Sequence, residues 1–211
     1  MSEQSDQMRG GRRLRAFDLA LSSVVASANF AVSLYMGPTL SLLVPHVFVG
    51  ALLMVPLNLC LSYFVWVTLG KRIFTLYFFV YGALAMPTAV WGSTPGFFKP
   101  LMGLLIGISL DLLATRLDPG SRASKWLMAF IFPSFWWTWT GGIWMIAGFP
   151  IVPLFQAMLG SVPALRPIVE QGFAATFVAI GALTVPSSIA ATHFAASASE
   201  RVKKAISLPA S

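Results

Sequence analysis

Charged side chains are scarce in this sequence. Only 10% of the 211 residues are Asp, Glu, Lys or Arg, whereas a soluble domain carries about 25%. Apolar residues make up 57% of the chain, and the mean hydropathy is +0.78. A chain of this composition cannot cover a water-facing surface of its own, which excludes an ordinary soluble enzyme and an intrinsically disordered protein.

Reactive and metal-binding side chains are equally sparse. The single cysteine, Cys60, excludes a disulfide framework, a thiol-pair redox enzyme and a cysteine metal cage. The two histidines, His46 and His193, are expected at opposite membrane sides, where they cannot share a metal ion. The sequence has no Walker A motif and no file of intramembrane carboxylates. We therefore expect no metal, no cofactor and no enzymatic activity, and a partner as the energy source for any transport.

The sequence instead contains long apolar runs. A membrane-spanning helix needs about 20 mostly apolar residues, and six candidate runs occur. They are Ala16–Met36, His46–Leu69, Ile73–Trp91, Lys99–Thr115, Trp126–Gly148 and Gly172–Phe194. The sequence therefore predicts an all-α, polytopic membrane protein with six transmembrane helices in one bundle.

The basic residues predict the orientation of this bundle. Cytoplasmic loops hold the excess of Lys and Arg, and with the N-terminus inside only Lys99 and Arg166 fall on the outer side. The net charge of +7 thus reflects topology in a lipid bilayer, and no nucleic acid partner is expected. We predict a multi-pass plasma-membrane protein with both termini cytoplasmic. Its parts are a basic tail (1–15), a six-helix transmembrane domain (16–197) and a second cytoplasmic tail (198–211).

The first span carries two different stripes. At 100° per residue, its polar residues fall within about 60° of one another, and its small residues fall on the opposite face within about 80°. The polar stripe comprises Asp18, Ser22, Asn29 and Ser33, and the small stripe comprises Ala16, Ala20, Ser23, Ser27 and Ala31. Small residues let two membrane helices approach closely. The small stripe fits either contact with a partner subunit or packing inside this chain.

Tryptophans are concentrated in the fifth span. Trp normally lies at membrane interfaces, but Trp136, Trp137 and Trp139 fall near mid-membrane, and Thr140 lies on the arc that they form with Trp144. Buried indole N–H groups need acceptors. The cluster is consistent with the wall of a pocket for a flat, polar ligand. It is equally consistent with an aromatic core whose N–H groups bond to nearby backbone.

Few other polar groups remain to complete a site. Glu170 opens the sixth span, where it caps a helix or meets a cationic ligand group. Lys99 opens the fourth span, where it snorkels or binds an anionic ligand group. Asp111, near the inner end of that span, is expected to pair with a basic loop residue. Gly103 and Gly107 in the same span have close-packing spacing.

Two segments resemble one family of membrane proteins. The first is Arg15-Ala16-Phe17-Asp18-Leu19-Ala20-Leu21, which is similar to the small-residue motif by which the first helix of that family docks on a partner. The second runs from Pro95 to Leu113 and is similar to a Gly-rich segment ending in Asp-Leu-Leu. With the six-span plan, these segments resemble the substrate-binding S component of an energy-coupling factor (ECF) transporter.

The resemblance implies a specific function. S components bind a vitamin or related micronutrient near the outer face and dock on a transmembrane coupling subunit driven by two ATPase subunits. The residues expected to bind the substrate, a flat heteroaromatic vitamin or precursor, are Asn29, Tyr81, Trp137, Thr140, Trp144, Gln156 and Glu170. Those expected to dock on the coupling subunit are Ala16, Ala20, Ser23 and Ser27.

Two other classes of protein stay open at the level of sequence. An integral membrane enzyme or ligand-binding sensor, rich in Trp like the tryptophan-rich sensory proteins, fits the aromatic content, although those proteins have five spans. A structural subunit of a membrane complex would use the small faces and the aromatic residues for packing alone. A bound small molecule argues against the structural subunit, and an associated pair of ATPases argues against both.

Overall fold

All regular elements of the described chain are helices. The computed structural model describes residues 15–43, 49–70, 72–88, 90, 96–146, 163, 167, 170 and 173–207. Six helices occur in these ranges: α1 (Ala16–Ser41), α2 (a π-helical start, Gly50–Met54, followed by Val55–Leu69), α3 (Phe74–Ala85), α4 (Phe98–Ala114), α5 (Arg122–Ile146) and α6 (Phe173–Ser207). Each of the six predicted spans overlaps one of these helices.

Three of the helices are long and apolar enough to cross a membrane. They are Ala16–Ser41, Gly50–Leu69 and the Val178–Ala205 part of α6. Helix α3 is also apolar but has only 12 residues, which corresponds to about 18 Å at 1.5 Å per residue. The structure therefore supports a helical membrane protein.

The third predicted span, Ile73–Trp91, is longer than the helix that forms there. Pro87 has no N–H to donate to the carbonyl of Ala83, so the ladder of i to i−4 hydrogen bonds stops. The last turn tightens instead, and the N–H of Met86 bonds to Ala83 at 3.3 Å. Conversely, α6 continues to Ser207, past the predicted end of the sixth span.

Helices α3 and α4 pack backbone against backbone. A Cβ added to Gly107 would lie 2.5 Å from the Thr75 Cα, and one added to Gly103 would overlap the carbonyl of Phe78. Gly82 on α3 meets the α4 backbone in the same way, because its Cβ would lie 2.5 Å from the Lys99 oxygen. The prediction that Gly103 and Gly107 form a close-packing face is confirmed, and this contact makes α3 and α4 a tight hairpin.

Both ends of α3 are satisfied by side chains of α4. The Asp111 carboxylate accepts hydrogen bonds from the N–H groups of Phe74 and Thr75, at 3.1 and 2.9 Å. Lys99 is 1% exposed and donates from Nζ to the carbonyls of Ala85 and Thr88. The prediction that Asp111 pairs with a basic loop residue is therefore wrong, since free N–H groups at a helix start offer a nearer partner.

Helix α2 lies among the others. It contacts α1, α3, α5 and α6. Of these four contacts, the one with α6 is the most extensive. Its aromatic side chains Tyr63 and Trp66 are buried and pack edge to face, with ring centroids 5.4 Å apart. The Tyr63 hydroxyl also bonds to Ser124 on α5 at 2.8 Å. Helix α2 also carries Gly50 and Asn58, which contact the candidate site.

Candidate functional site

Helix α1 has one buried polar face and one exposed face of small residues. Asp18, Ser22, Asn29 and Ser33 are all at most 5% exposed. Ala16, Ala20, Ser27 and Ala31 are exposed, and Ser23 is half-buried. The two stripes predicted from the sequence are thus on opposite sides of the helix, one inside the bundle and one on its outside.

Asn29 joins three helices in a buried polar cluster. Its Nδ2 donates to Oδ1 of Asn58 on α2 and to the hydroxyl of Tyr77 on α3, both at 2.8 Å. Asn29, Asn58 and Tyr77 are fully buried. The hydroxyl of Tyr81, 1% exposed, lies beside Ser33 and Asn58. These five residues, which we call the amide–phenol cluster, are all uncharged.

Helix α5 carries a second cluster, which packs against α4 and α6 and which we call the aromatic cluster. It comprises Trp137, Trp139 and Thr140. Trp137 is 7% exposed, and its Nε1 lies 3.5 Å from the Thr184 hydroxyl on α6. Trp139 donates from Nε1 to Ser109 on α4 at 3.0 Å. Thr140 is 2% exposed, and its Oγ1 has no hydrogen-bond partner among the described residues. The indole groups of Trp137 and Trp139 therefore bond to side chains of neighbouring helices. The Thr140 hydroxyl on the same helix remains available for a further hydrogen bond.

The π-helical start of α2 lies next to both clusters. Asn58 donates from Nδ2 to the Met54 carbonyl at 2.9 Å. On the other side, a Cβ placed on Gly50 would lie 3.7 Å from the Trp137 ring. Pro56 cannot donate to the residue four positions earlier, which interrupts the regular ladder at this point. Single π-turns inside α-helices occur frequently at functional sites, and this one contacts a residue of each cluster.

The predicted site residues fall into three groups. The structure places Asn29 and Tyr81 in the amide–phenol cluster, and Trp137 and Thr140 in the aromatic cluster. Trp144 lies in α5 where the backbone alone is described, and Gln156 lies outside the described residues. Glu170 is exposed and takes part in a contact. The structure thus divides the described part of the predicted site between two neighbouring clusters.

Sequence reasoning missed two partners of the predicted residues. Asn58 bonds to Asn29, and Thr184 lies next to Trp137. An amide in the apolar run Leu57-Asn58-Leu59 was the available signal for the first. Thr184 carried no comparable signal, because threonines recur along the sixth helix at 176, 184 and 192.

The described residues contain no group of three or more His, Cys, Asp or Glu side chains that could hold a metal ion. The polar atoms gathered here are amides, hydroxyls and indole N–H groups, which bind by hydrogen bonding. Such groups can recognise the polar atoms of an uncharged small molecule. No family model, curated protein or solved structure matches the chain.

Proposed function

We propose that this chain is the substrate-binding subunit of an ECF-type importer. It spans the plasma membrane with six helices, has both termini in the cytoplasm, and captures a vitamin or related small micronutrient at the outer face. It carries no ATPase motif, so its transport is energised by a membrane coupling subunit and two ATPase subunits.

The observation that carries the proposal is the division of α1 into two faces. Its polar face lies inside the bundle, where Asn29 bonds to Asn58 and Tyr77. Its outer face exposes Ala16, Ala20 and Ser27, which give a narrow surface that another membrane helix can approach closely. Because small side chains let the backbones of two helices come close together, an exposed stripe of them favours contact with a helix of a second protein. The coupling subunit of the proposed transporter is such a protein.

The short helix α3 is compatible with a six-helix membrane bundle. A 12-residue helix is shorter than the apolar core of about 30 Å, and its terminal backbone groups need partners at that depth. Asp111 and Lys99 supply such partners at the two ends. Helix α3 can therefore lie within the apolar layer against α4.

Two clusters offer the chemistry for ligand capture. The aromatic cluster of Trp137 and Thr140 provides flat apolar surface with an open hydroxyl, and the amide–phenol cluster provides uncharged hydrogen-bonding groups. A flat heteroaromatic molecule with polar edges matches both kinds of surface.

Affinity purification of the tagged chain from its own membranes in mild detergent tests the proposal. Mass spectrometry of the eluate should find one membrane coupling subunit, two ATPase subunits and a retained metabolite. The double variant Ala20→Leu/Ser27→Leu should lose the partners, and Val32→Leu on another face of α1 should keep them. Recovery within an unrelated enzyme complex, or partners retained by the double variant, would overturn the proposal.

A further inference from the structure

The start of α5 and the last turns of α6 share an aromatic contact on the outside of the bundle. The rings of Trp126 on α5 and His193 on α6 meet edge to face, with centroids 6.1 Å apart. Trp126 also stacks on Phe130, one turn further along α5, at 6.2 Å. All three side chains are exposed. Because exposed tryptophans in membrane helices lie where the apolar core meets the headgroups, this contact indicates the depth of both helices.

An arginine lies beyond this contact on each helix, towards the same end of the bundle. Arg122 precedes Trp126 by four residues on α5, and Arg201 follows His193 by eight residues on α6. The two helices run in opposite directions, since Trp126 meets His193 while Trp137, further along α5, lies beside the earlier residue Thr184. Each arginine is exposed and lies within about 80° of arc of the aromatic residue on its own helix.

A contact with α2 gives the level of Arg201. Thr68 donates from Oγ1 to the Ser199 hydroxyl at 3.0 Å, and α2 ends one residue later, at Leu69. Arg201 therefore lies about 3 Å beyond Ser199 along α6, at 1.5 Å per residue. This level is the end of a helix that is long and apolar enough to cross a membrane, where the phosphates of a lipid leaflet are expected.

Positive charge dominates this end of the two helices. Within 115–130 and 190–207, Lys and Arg outnumber Asp and Glu by six to two. The basic residues are Arg116, Arg122, Lys125, Arg201, Lys203 and Lys204, and the acidic residues are Asp118 and Glu200. The first turn of α5 contains no acidic residue, although the helix dipole disfavours a cation such as Arg122 there. An anion bound beside Arg122 offsets this penalty.

The exposed rings favour an anion that carries an apolar tail. Arginine binds the phosphate of a soluble molecule and of a lipid alike. Here the surface continues from Arg122 over Trp126 to Phe130, and both rings are exposed. A free phosphate would contact the arginines alone, whereas a phospholipid also places an acyl chain against the two rings.

We infer that the start of α5 and the end of α6 form a binding site for an anionic phospholipid of the cytoplasmic leaflet. Its phosphate lies between Arg122 and Arg201, and an acyl chain lies along Trp126 and Phe130. The inference goes beyond the proposed function, because it requires a chain embedded in a bilayer but no particular substrate or partner subunit.

Tryptophan fluorescence of the purified full-length chain in nanodiscs tests the inference. The nanodiscs consist of phosphatidylcholine with a fixed mole fraction of either brominated phosphatidylglycerol or brominated phosphatidylcholine, because bromine on an acyl chain quenches a tryptophan that it contacts. The anionic lipid should quench the emission more than the neutral lipid, and Trp126→Phe should abolish this excess. Equal quenching by the two lipids, or an excess that persists in Trp126→Phe, would overturn the inference.

Single arginine variants separate a bound lipid from general attraction to a positive surface. Arg122→Gln and Arg201→Gln should each weaken the apparent affinity for phosphatidylglycerol about fivefold, as measured by titration of the brominated lipid. Arg72→Gln is the matched control, since it removes an exposed arginine just before α3, and it should leave the affinity nearly unchanged. An equal loss in all three variants would overturn the inference.

Free glycerol phosphate serves as the competitor. It should leave the quenching by phosphatidylglycerol unchanged, and its displacement of the lipid would contradict a site that requires an acyl chain. Both faces of a nanodisc are open to solution, and no partner subunit is present. Failure here is therefore distinguishable from failure to recover partners in the purification above.

Discussion

Lys99 and Asp111 stand 12 positions apart on α4 and close the opposite ends of α3. The carboxylate of Asp111 accepts from the first N–H groups of α3, and Lys99 Nζ donates to the Ala85 carbonyl at its end, at 3.1 Å. An acidic group at a helix start and a basic group at its end also match the helix dipole. Two side chains of α4 thus supply hydrogen-bond partners to the backbone at both ends of α3.

Loss of the Asp111 side chain should destabilise the protein. Asp111→Ala leaves the N–H groups of Phe74 and Thr75 without their acceptor, and an unsatisfied buried group costs about 1–3 kcal/mol. The midpoint of thermal unfolding in detergent should fall by roughly 2–4 °C per kcal/mol. Asp118→Ala, which removes an exposed carboxylate from the α4–α5 loop, is the control and should change the midpoint little. A smaller loss for Asp111→Ala than for Asp118→Ala would contradict the capping role.

The glycine contact between α3 and α4 should tolerate no side chain. In Gly107→Leu the new Cβ would overlap the Thr75 backbone, so the helices must separate, and overpacking of this kind costs about 1–3 kcal/mol or more. We expect a sharply lower yield of monodisperse protein on size-exclusion chromatography. Gly181→Ala is the control, since no described atom lies within 4 Å of its Cβ position. A normal elution profile for Gly107→Leu would show that the helices are not held this closely.

Tyr77 should stabilise the junction of α1, α2 and α3. Tyr77→Phe removes the acceptor of one Asn29 hydrogen bond and leaves a buried N–H donor unpaired, at a cost of about 1–3 kcal/mol. Thermal unfolding followed by circular dichroism measures the loss. Tyr35→Phe removes the same hydroxyl from a side chain that is 73% exposed, and it should have no measurable effect. Equal midpoints for the two variants would mean that the Asn29–Tyr77 bond adds no stability.

The proposed topology places the loop before α5 inside the cell and the start of α4 outside. In a Cys60→Ser background, Phe97→Cys should react with a membrane-impermeant maleimide on intact cells, since Phe97 is 66% exposed at the start of α4. Asp118→Cys should react only after the membrane is opened, because the basic residues around it hold that loop in the cytoplasm. The reverse pattern would invert the topology.

The sequence predicted those features that depend on one helix at a time. The two faces of α1 followed from residue spacing, since burial of polar side chains and exposure of small ones repeat with the helical period. The glycine contact of α4 followed in the same way. The length of α3 did not, because hydropathy continues past Pro87 while the hydrogen-bond ladder does not.

Contacts between different helices could not be predicted from the sequence. Asn58 bonds to Asn29 across 29 positions, and nothing in the local pattern fixes the rotation of α2 that brings them together. The sequence predicts a basic loop partner for Asp111, because the free N–H groups at the start of α3 become its partners only once α3 and α4 pack together. The assignment of the substrate residues stays a prediction, and the division of the described ones between two clusters is visible only in the structure.

Site-specific photo-crosslinking from α1 tests the central claim most directly. A photoreactive amino acid replaces Ala20 on the small stripe, and in a parallel sample it replaces Val32, an exposed residue on a different face of the same helix. Irradiation of native membranes should give one discrete adduct from position 20, with a membrane protein that co-purifies with two ATPases, and no such adduct from position 32. The absence of an adduct at position 20, or the same adducts from both positions, would contradict the account of α1 as a docking helix.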